Sequence, residues 1–248
     1  MANREITITG DRVLRPAGWW TPAVHALLEY LHSVGFDRVP RPLGVENGRE
    51  VLSMLPGHSG RDAWPNVASE QGLRAYAGFL REYHEAVRGF VAPPDAEWAL
   101  HTGSAGPGEL ICHGDFGPWN LVWDGLTPVG VIDFDLAAPA DPLYDIAYAV
   151  EYSAPFRSDE QVLRWQAFTE PPDRRRRIGI FAEAYGLTST EGLVDRVIER
   201  QALAAGHVVA LADRGLERQR SWVAGGVLDE LEERVRWSRE NRRLFGQA

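Results

Sequence analysis

Between residues 21 and 35 the chain reads TPAVHALLEYLHSVG, and Val24, Leu27, Leu28 and Leu31 fall three and four positions apart, the spacing of one helical face. Thr21 as cap and Pro22 in the first turn open this helix, and Gly35 closes it. On either side the period changes. Residues 5–9, EITIT, alternate as a strand, Gly10-Asp11 marks a turn, and RVLRP returns as its partner. PRPLGV and REVLSML repeat that arrangement around Glu46-Asn47-Gly48, until LPGHSG breaks it. The segment 1–55 therefore predicts a small sheet carrying one helix.

From Pro65 the period is helical, with Leu73, Tyr76, Ala77, Leu80, His84 and Val87 on one stripe that ends near Gly89. A Pro/Gly-rich loop over 92–108 follows. Residues 111–135 then read as strand, loop, strand, a turn at Asp124-Gly125, and strand. Asp141-Pro142 starts another helix to about Glu151, and the chain from 158 reads as helical almost to its end. Neither repeats nor low-complexity tracts interrupt this order. The expected organisation is an N-terminal lobe over 1–55, joined through LPG to a mostly helical lobe over 56–248.

Composition narrows the classes. With 248 residues, 44% of them apolar, and nine tryptophans, the chain can fill a sizeable core. No apolar run approaches the roughly 20 residues that span a bilayer, and MANREITITG lacks the basic and apolar regions of a signal peptide, so a cytoplasmic location without membrane partners is expected. A formal charge of −9 disfavours nucleic acid as a partner and favours cationic ones. All 26 basic residues are arginine. The run DRRRRIGIF from Asp173 reads as a solvated face. The single cysteine, Cys112, cannot form an internal disulfide and reads as a small core hydrophobe.

The candidate chemistry sits in ICHGDFGPWNLVWDGLTPVGVIDFD, residues 111–135. Asp115 follows His113 by two residues, Asn120 follows Asp115 by five, and Asp133 ends the apolar strand PVGVID, which should pair beside NLVW. That pairing brings Asn120 and Asp133 together as a hard-oxygen site suited to Mg²⁺, with Asp115 on the preceding loop placed to accept a hydroxyl proton. An unpaired carboxylate at the tip of an apolar strand is costly, so the combination favours a site. Taken singly, His113 reads as a structural histidine, Asp124 as a turn residue and Asp141 as a helix cap.

HGDFGPWN, VIDFD and DPLYDIAYA together resemble the aminoglycoside phosphotransferase family, small-molecule kinases with a protein-kinase-like fold. The resemblance runs from RVLRP to the C-terminal helices and is most specific over 111–148. It implies an α+β, two-lobed fold, with nucleotide on the N-terminal lobe and the catalytic loop, metal site and acceptor pocket in the helical lobe. It further implies a Mg²⁺-dependent transfer of the γ-phosphoryl group of ATP or GTP to a small-molecule hydroxyl, on an antibiotic such as an aminoglycoside, an amino alcohol or a sugar. Asp115 would be the catalytic base, braced by His113, with Asn120 and Asp133 on the metal. Asp135 would assist the metal from the same strand face if the strand continues, and Asp145 would brace the loop. Glu151, Asp159, Glu160 and Glu183 could form a cation-attracting acceptor rim, and Trp119 or Trp165 an apolar wall.

The chain also departs from that pattern. Only one hairpin precedes the first helix, so the glycine-rich hairpin over the phosphates has no counterpart, and the lysine of the following strand has none either. Arg15 is the substitute for nucleotide binding, with only Glu29 on the helix as an acidic partner. The departures leave a second reading open, a weakly active or inactive kinase-like binding protein. A metal hydrolase using His113, Asp115 and Asp133 is a third.

Overall fold

The computed structural model describes residues 6–246. The N-terminal sheet is antiparallel and four-stranded: β1 (Thr7–Thr9), β2 (Arg12–Pro16), β3 (Pro42–Glu46) and β4 (Arg49–Ser53), in the order β1-β2-β4-β3. Both expected hairpins form, although Glu5 lies outside the described residues. Glu46 pairs with Arg49 around Asn47 and Gly48, both at positive φ, the backbone that tight two-residue hairpins need. Helix α1 (Thr21–Ser33) lies between the hairpins and buries Val24, Leu27, Leu28 and Leu31, as its spacing predicts. Thr21 is not the cap: its hydroxyl accepts from the Gly18 N–H at 3.0 Å, and Trp20 holds the cap position.

The second lobe begins with a 3₁₀ segment, Gly60–Ala68, which contains Pro65, and the long helix α2 follows at Glu70–Val87. Ser69 accepts from the Gly72 N–H at 3.0 Å and so starts α2 five residues later than the sequence suggests. Two short pairings then carry the loops: β5 (Leu110–Cys112) with β8 (Ala138–Ala140), and β6 (Leu121–Asp124) with β7 (Thr127–Val131). Strand β8 was not legible, because APA carries neither alternation nor β-branched residues. Six helices complete the lobe among the described residues: α3 (Leu143–Ser153), α4 (Asp159–Trp165), α5 (Arg174–Tyr185), α6 (Leu193–Asp213) and then α7 (Glu217–Ala224), with α8 (Val227–Glu240) last. Helix α3 is buried on every side from Asp145 to Ser153. Among the described residues no helix is long and apolar enough to cross a membrane.

The basic run at 173–177 is only half a solvated face. Arg174 and Arg177 are three apart on α5 and turn inward, while Arg175 and Arg176 face water. Arg174 donates to the carbonyls of Pro155 and Arg157 at 2.8 and 2.9 Å. Arg177 donates to Ser153 at 2.6 Å, to Ala68 at 2.8 Å and to Val67. Orphan carbonyls at chain turns thus take their donors from one helix, and that satisfaction explains why two charges are buried.

Candidate active site

Strand β5 ends at Cys112, and the chain turns sharply over the next residues. Gly114 lies at φ 79°, and a Cβ there would stand 2.0 Å from the Leu136 carbonyl oxygen, so only glycine lets the two segments pass this closely. Asp145, at the start of α3, accepts from the His113 N–H at 2.6 Å, the Gly114 N–H at 2.9 Å and His84 Nε2 at 3.2 Å. Helix α2 adds two hydroxyls, Tyr83 to the Ile111 carbonyl at 2.9 Å and Tyr76 to the Phe116 carbonyl. From α6, Arg200 reaches the Gly114 carbonyl at 3.2 Å. Three helices therefore hold one loop.

His113 is completely buried and braces rather than faces the cleft. Its Nε2 bonds to the Ile132 carbonyl at 3.0 Å, and its Nδ1 accepts from the Asp115 N–H at 3.3 Å. With both ring nitrogens occupied, it offers nothing to a metal, which removes the support for a hydrolase built on it. Cys112, His84 and Asp145 also lie close enough together to suggest a metal group. The Asp145 carboxylate already accepts from three donors, and this trio reads as a hydrogen-bonded brace.

Asp115 is half-buried. Asn120 Nδ2 donates to its Oδ2 at 2.8 Å and to its backbone carbonyl at 2.9 Å, and the Tyr148 hydroxyl donates to its Oδ1. Burial pushes this carboxyl above its ordinary value; the Tyr148 hydrogen bond pulls it back, and the charge of Asp133 raises it further. Asn120 and Asp133 meet as expected: Leu121 pairs with Val131, and the Ile132 N–H donates to the Asn120 carbonyl at 2.8 Å.

One expectation needs correction. The strand does not continue to Asp135, because Asp133 adopts the left-handed conformation at φ 66°, ψ 59° and starts a 3₁₀ turn over Phe134–Leu136. Aspartate tolerates that region better than most residues, and such backbone clusters at functional sites. Asp135 still returns to the site by another route. Arg15 Nη1 pairs with Asp133 at 2.6 Å and Nη2 with Asp135 at 2.9 Å, while Nε bonds to Glu50. The Trp20 indole N–H donates to Asp135 at 3.0 Å, and His25 Nε2 lies 3.2 Å from Glu50. Burial opposes the Arg15 charge, yet Asp135, Asp133 and Glu50 outweigh it and hold the guanidinium more firmly protonated than usual.

The glutamate for Arg15 therefore comes from β4 and not from the helix. Arg15 and Glu50 are direct partners in the β2–β4 register, which two predicted strands with no assigned register could not reveal. Tyr148 and Arg200 were also missed, since each arrives from a distant helix. The oxygen donors of Asn120, Asp133 and Asp135 fit a hard divalent cation, and the two carboxylates already converge on one positive charge.

Beside Asp115 stands an aromatic wall: Trp119 lies 4.9 Å from Trp64 and 4.7 Å from Tyr152, and Tyr148 lies 4.9 Å from Tyr152. Trp165, by contrast, is 61% exposed on α4. The expected acidic rim is largely spent on ion pairs, Glu151 with Arg234 at 3.3 Å, Asp159 with Arg174 at 2.8 Å and Glu183 with Arg74 at 3.0 Å. Between the lobes is a cleft of about 840 Å³, lined by Leu52, Met54 and Leu55 at the lobe junction and by Arg15, Asn120 and Asp133 at the acidic end.

A small sheet over a helical lobe, with carboxylates and an amide gathered where the lobes meet, is the arrangement of protein-kinase-like phosphotransferases. Residues 94–180 match the phosphotransferase enzyme family. The trifolitoxin immunity protein of Rhizobium leguminosarum bv. trifolii is 31% identical over 200 residues, which span 78% of this chain and 75% of that protein. The chain belongs to the phosphotransferase enzyme family. Its fold is shared with the amicoumacin kinase hAmiN, solved with AMP-PNP, Ca²⁺ and Ami, at a TM-score of 0.58 and 14% identity, covering 92% of this chain and 88% of that one. The macrolide 2'-phosphotransferase MphH from Brachybacterium faecium aligns at a TM-score of 0.55 and 18% identity, covering 86% and 82%. At such identities the likeness is one of fold.

Proposed function

We propose that the protein transfers the γ-phosphoryl group of ATP or GTP to a hydroxyl of a small molecule, and that it does so in antibiotic self-protection or resistance. The observation that carries this reading is that Asn120 and Asp133 line one end of the interlobe cleft, with the carboxylate of Asp115 hydrogen-bonded to Asn120 beside them. Asp115 accepts the acceptor's hydroxyl proton; Asn120 and Tyr148 fix the direction its carboxylate faces. Asn120, Asp133 and Asp135 would hold Mg²⁺, which when bound neutralises charge on the nucleotide phosphates. Arg15 fixes the orientation of Asp133 and Asp135. His113 and Asp145 keep the loop rigid, so the oxygen of Asp115 stays where a hydroxyl must meet phosphorus.

The acceptor would lie against Trp119, Trp64 and Tyr152, an apolar wall suited to an antibiotic or a similar molecule with both a hydroxyl and an apolar face. Relatedness to an immunity protein supports the protective role. The engagement of Arg15 by carboxylates favours a second reading, a kinase-like binding protein with little turnover. A thermal-shift titration decides between them. The melting temperature should rise by several degrees with millimolar ATP or GTP in the presence of Mg²⁺ and by less with EDTA. No rise with either nucleotide favours the binding protein. A phosphate-transfer screen over antibiotics and small alcohols then finds the acceptor.

A further inference from the structure

The lining of the interlobe cleft contains three charged side chains: Arg15, Asp133 and Arg218. Arg15 is held by Glu50, Asp133 and Asp135, so that cluster carries more negative than positive charge. A nucleoside triphosphate entering there meets acids whose own cation is already shared among them. Arg218 stands apart. It forms no ion pair among the described residues, and its guanidinium lies 4.7 Å over the ring of Trp222, one helical turn further along α7. Arg218, Ser221 and Trp222 all line the cleft, yet no residue of α7 is buried, and Trp222 remains 39% exposed. A short helix from the far end of the chain thus brings a cation, a hydroxyl and an aromatic face to the same space as Asn120 and Asp133.

We infer that Arg218, steadied on Trp222, is a phosphate-binding residue for the nucleoside triphosphate. A guanidinium offers several donors in one plane to phosphate oxygens, and the indole beneath restricts its rotamers without neutralising it. The placement also gives α7 a purpose that packing does not, since it contributes nothing to the core. This inference rests on the nucleotide reading proposed above.

Titration calorimetry tests it, using ATP and GTP with Mg²⁺ and the matching nucleosides adenosine and guanosine, on the wild-type chain and on Arg218→Ala and Arg218→Lys. The expected result is that Arg218→Ala weakens the triphosphate by about tenfold or more, as losing a charged hydrogen bond does, and leaves nucleoside affinity unchanged. Arg218→Lys should regain part of the loss. Because Arg218 is exposed, the ligand-free melting temperatures should agree, which separates a binding effect from misfolding. Equal triphosphate affinity in Arg218→Ala overturns the assignment and leaves the phosphotransfer reading standing. Equal weakening of nucleoside and triphosphate also overturns it, pointing to cleft shape. A wild-type chain that binds neither triphosphate removes both readings together.

Discussion

Asp115→Asn is expected to lower kcat by about 10²–10⁴-fold, the usual contribution of a positioned general base, while KM for nucleotide changes little. An amide has the shape of the carboxylate and still accepts from Tyr148 or Asn120, but it cannot take the acceptor's proton. Stability should stay within about 1 kcal/mol of the parent, since the change removes a half-buried charge and leaves the loop's other ties in place. Steady-state kinetics beside a melting curve reads both quantities, and undiminished turnover would exclude Asp115 from the chemistry. The pH profile gives a second check. Burial raises this carboxyl, so the group protonates at higher pH than an exposed aspartate. The rate should therefore fall on its acid side above the ordinary carboxylate range, and that limb should be absent from any residual activity of Asp115→Asn.

Asp145→Ala should act in the opposite way, on folding first. The substitution leaves the His113 and Gly114 N–H groups and His84 without their common acceptor, all of them buried. Breaking such a buried charged network costs about 3–5 kcal/mol. For a chain of this size that lowers the melting temperature by about 6–20 °C, readable by calorimetry or circular dichroism. Asp145 adds an acid dependence of known sign. Burial alone would raise its carboxyl, but the His84 hydrogen bond, the His84 and His113 imidazoles and the Gly114 N–H outweigh it and hold it below its ordinary value. Its stabilising share is fully present above the unfolded value and is lost as pH falls through the lowered folded value. Asp145→Asn should flatten that part of the stability profile.

The two hairpins, the stripe of α1 and the meeting of Asn120 with Asp133 were legible because each depends on neighbours within a few dozen residues. Asn47-Gly48 fixes one turn, and the five-residue step from Asp115 to Asn120 spans one tight loop. Features that depend on register or distant packing were not legible. Glu50 finds Arg15 only once β2 and β4 are aligned, and Tyr148 finds Asp115 only once α3 packs under the loop. Asp133 was legible as a strand end but not as a left-handed residue, since pattern gives polarity and not φ. The basic run failed for a related reason. Four adjacent arginines cannot share one face of a helix, and the three-residue interval sent two of them toward carbonyls that the sequence does not advertise.

Cys112 is the chain's single thiol, wholly enclosed where β5 meets β8, one residue before His113. Burial pushes it well above its ordinary value, so the closed protein presents almost no thiolate to a modifying reagent. Reagents must wait until this strand pair parts. The speed at which a disulfide dye is consumed therefore clocks spontaneous excursions of the segment that leads into Asp115, with no label to install and no second sulfhydryl to confuse the trace.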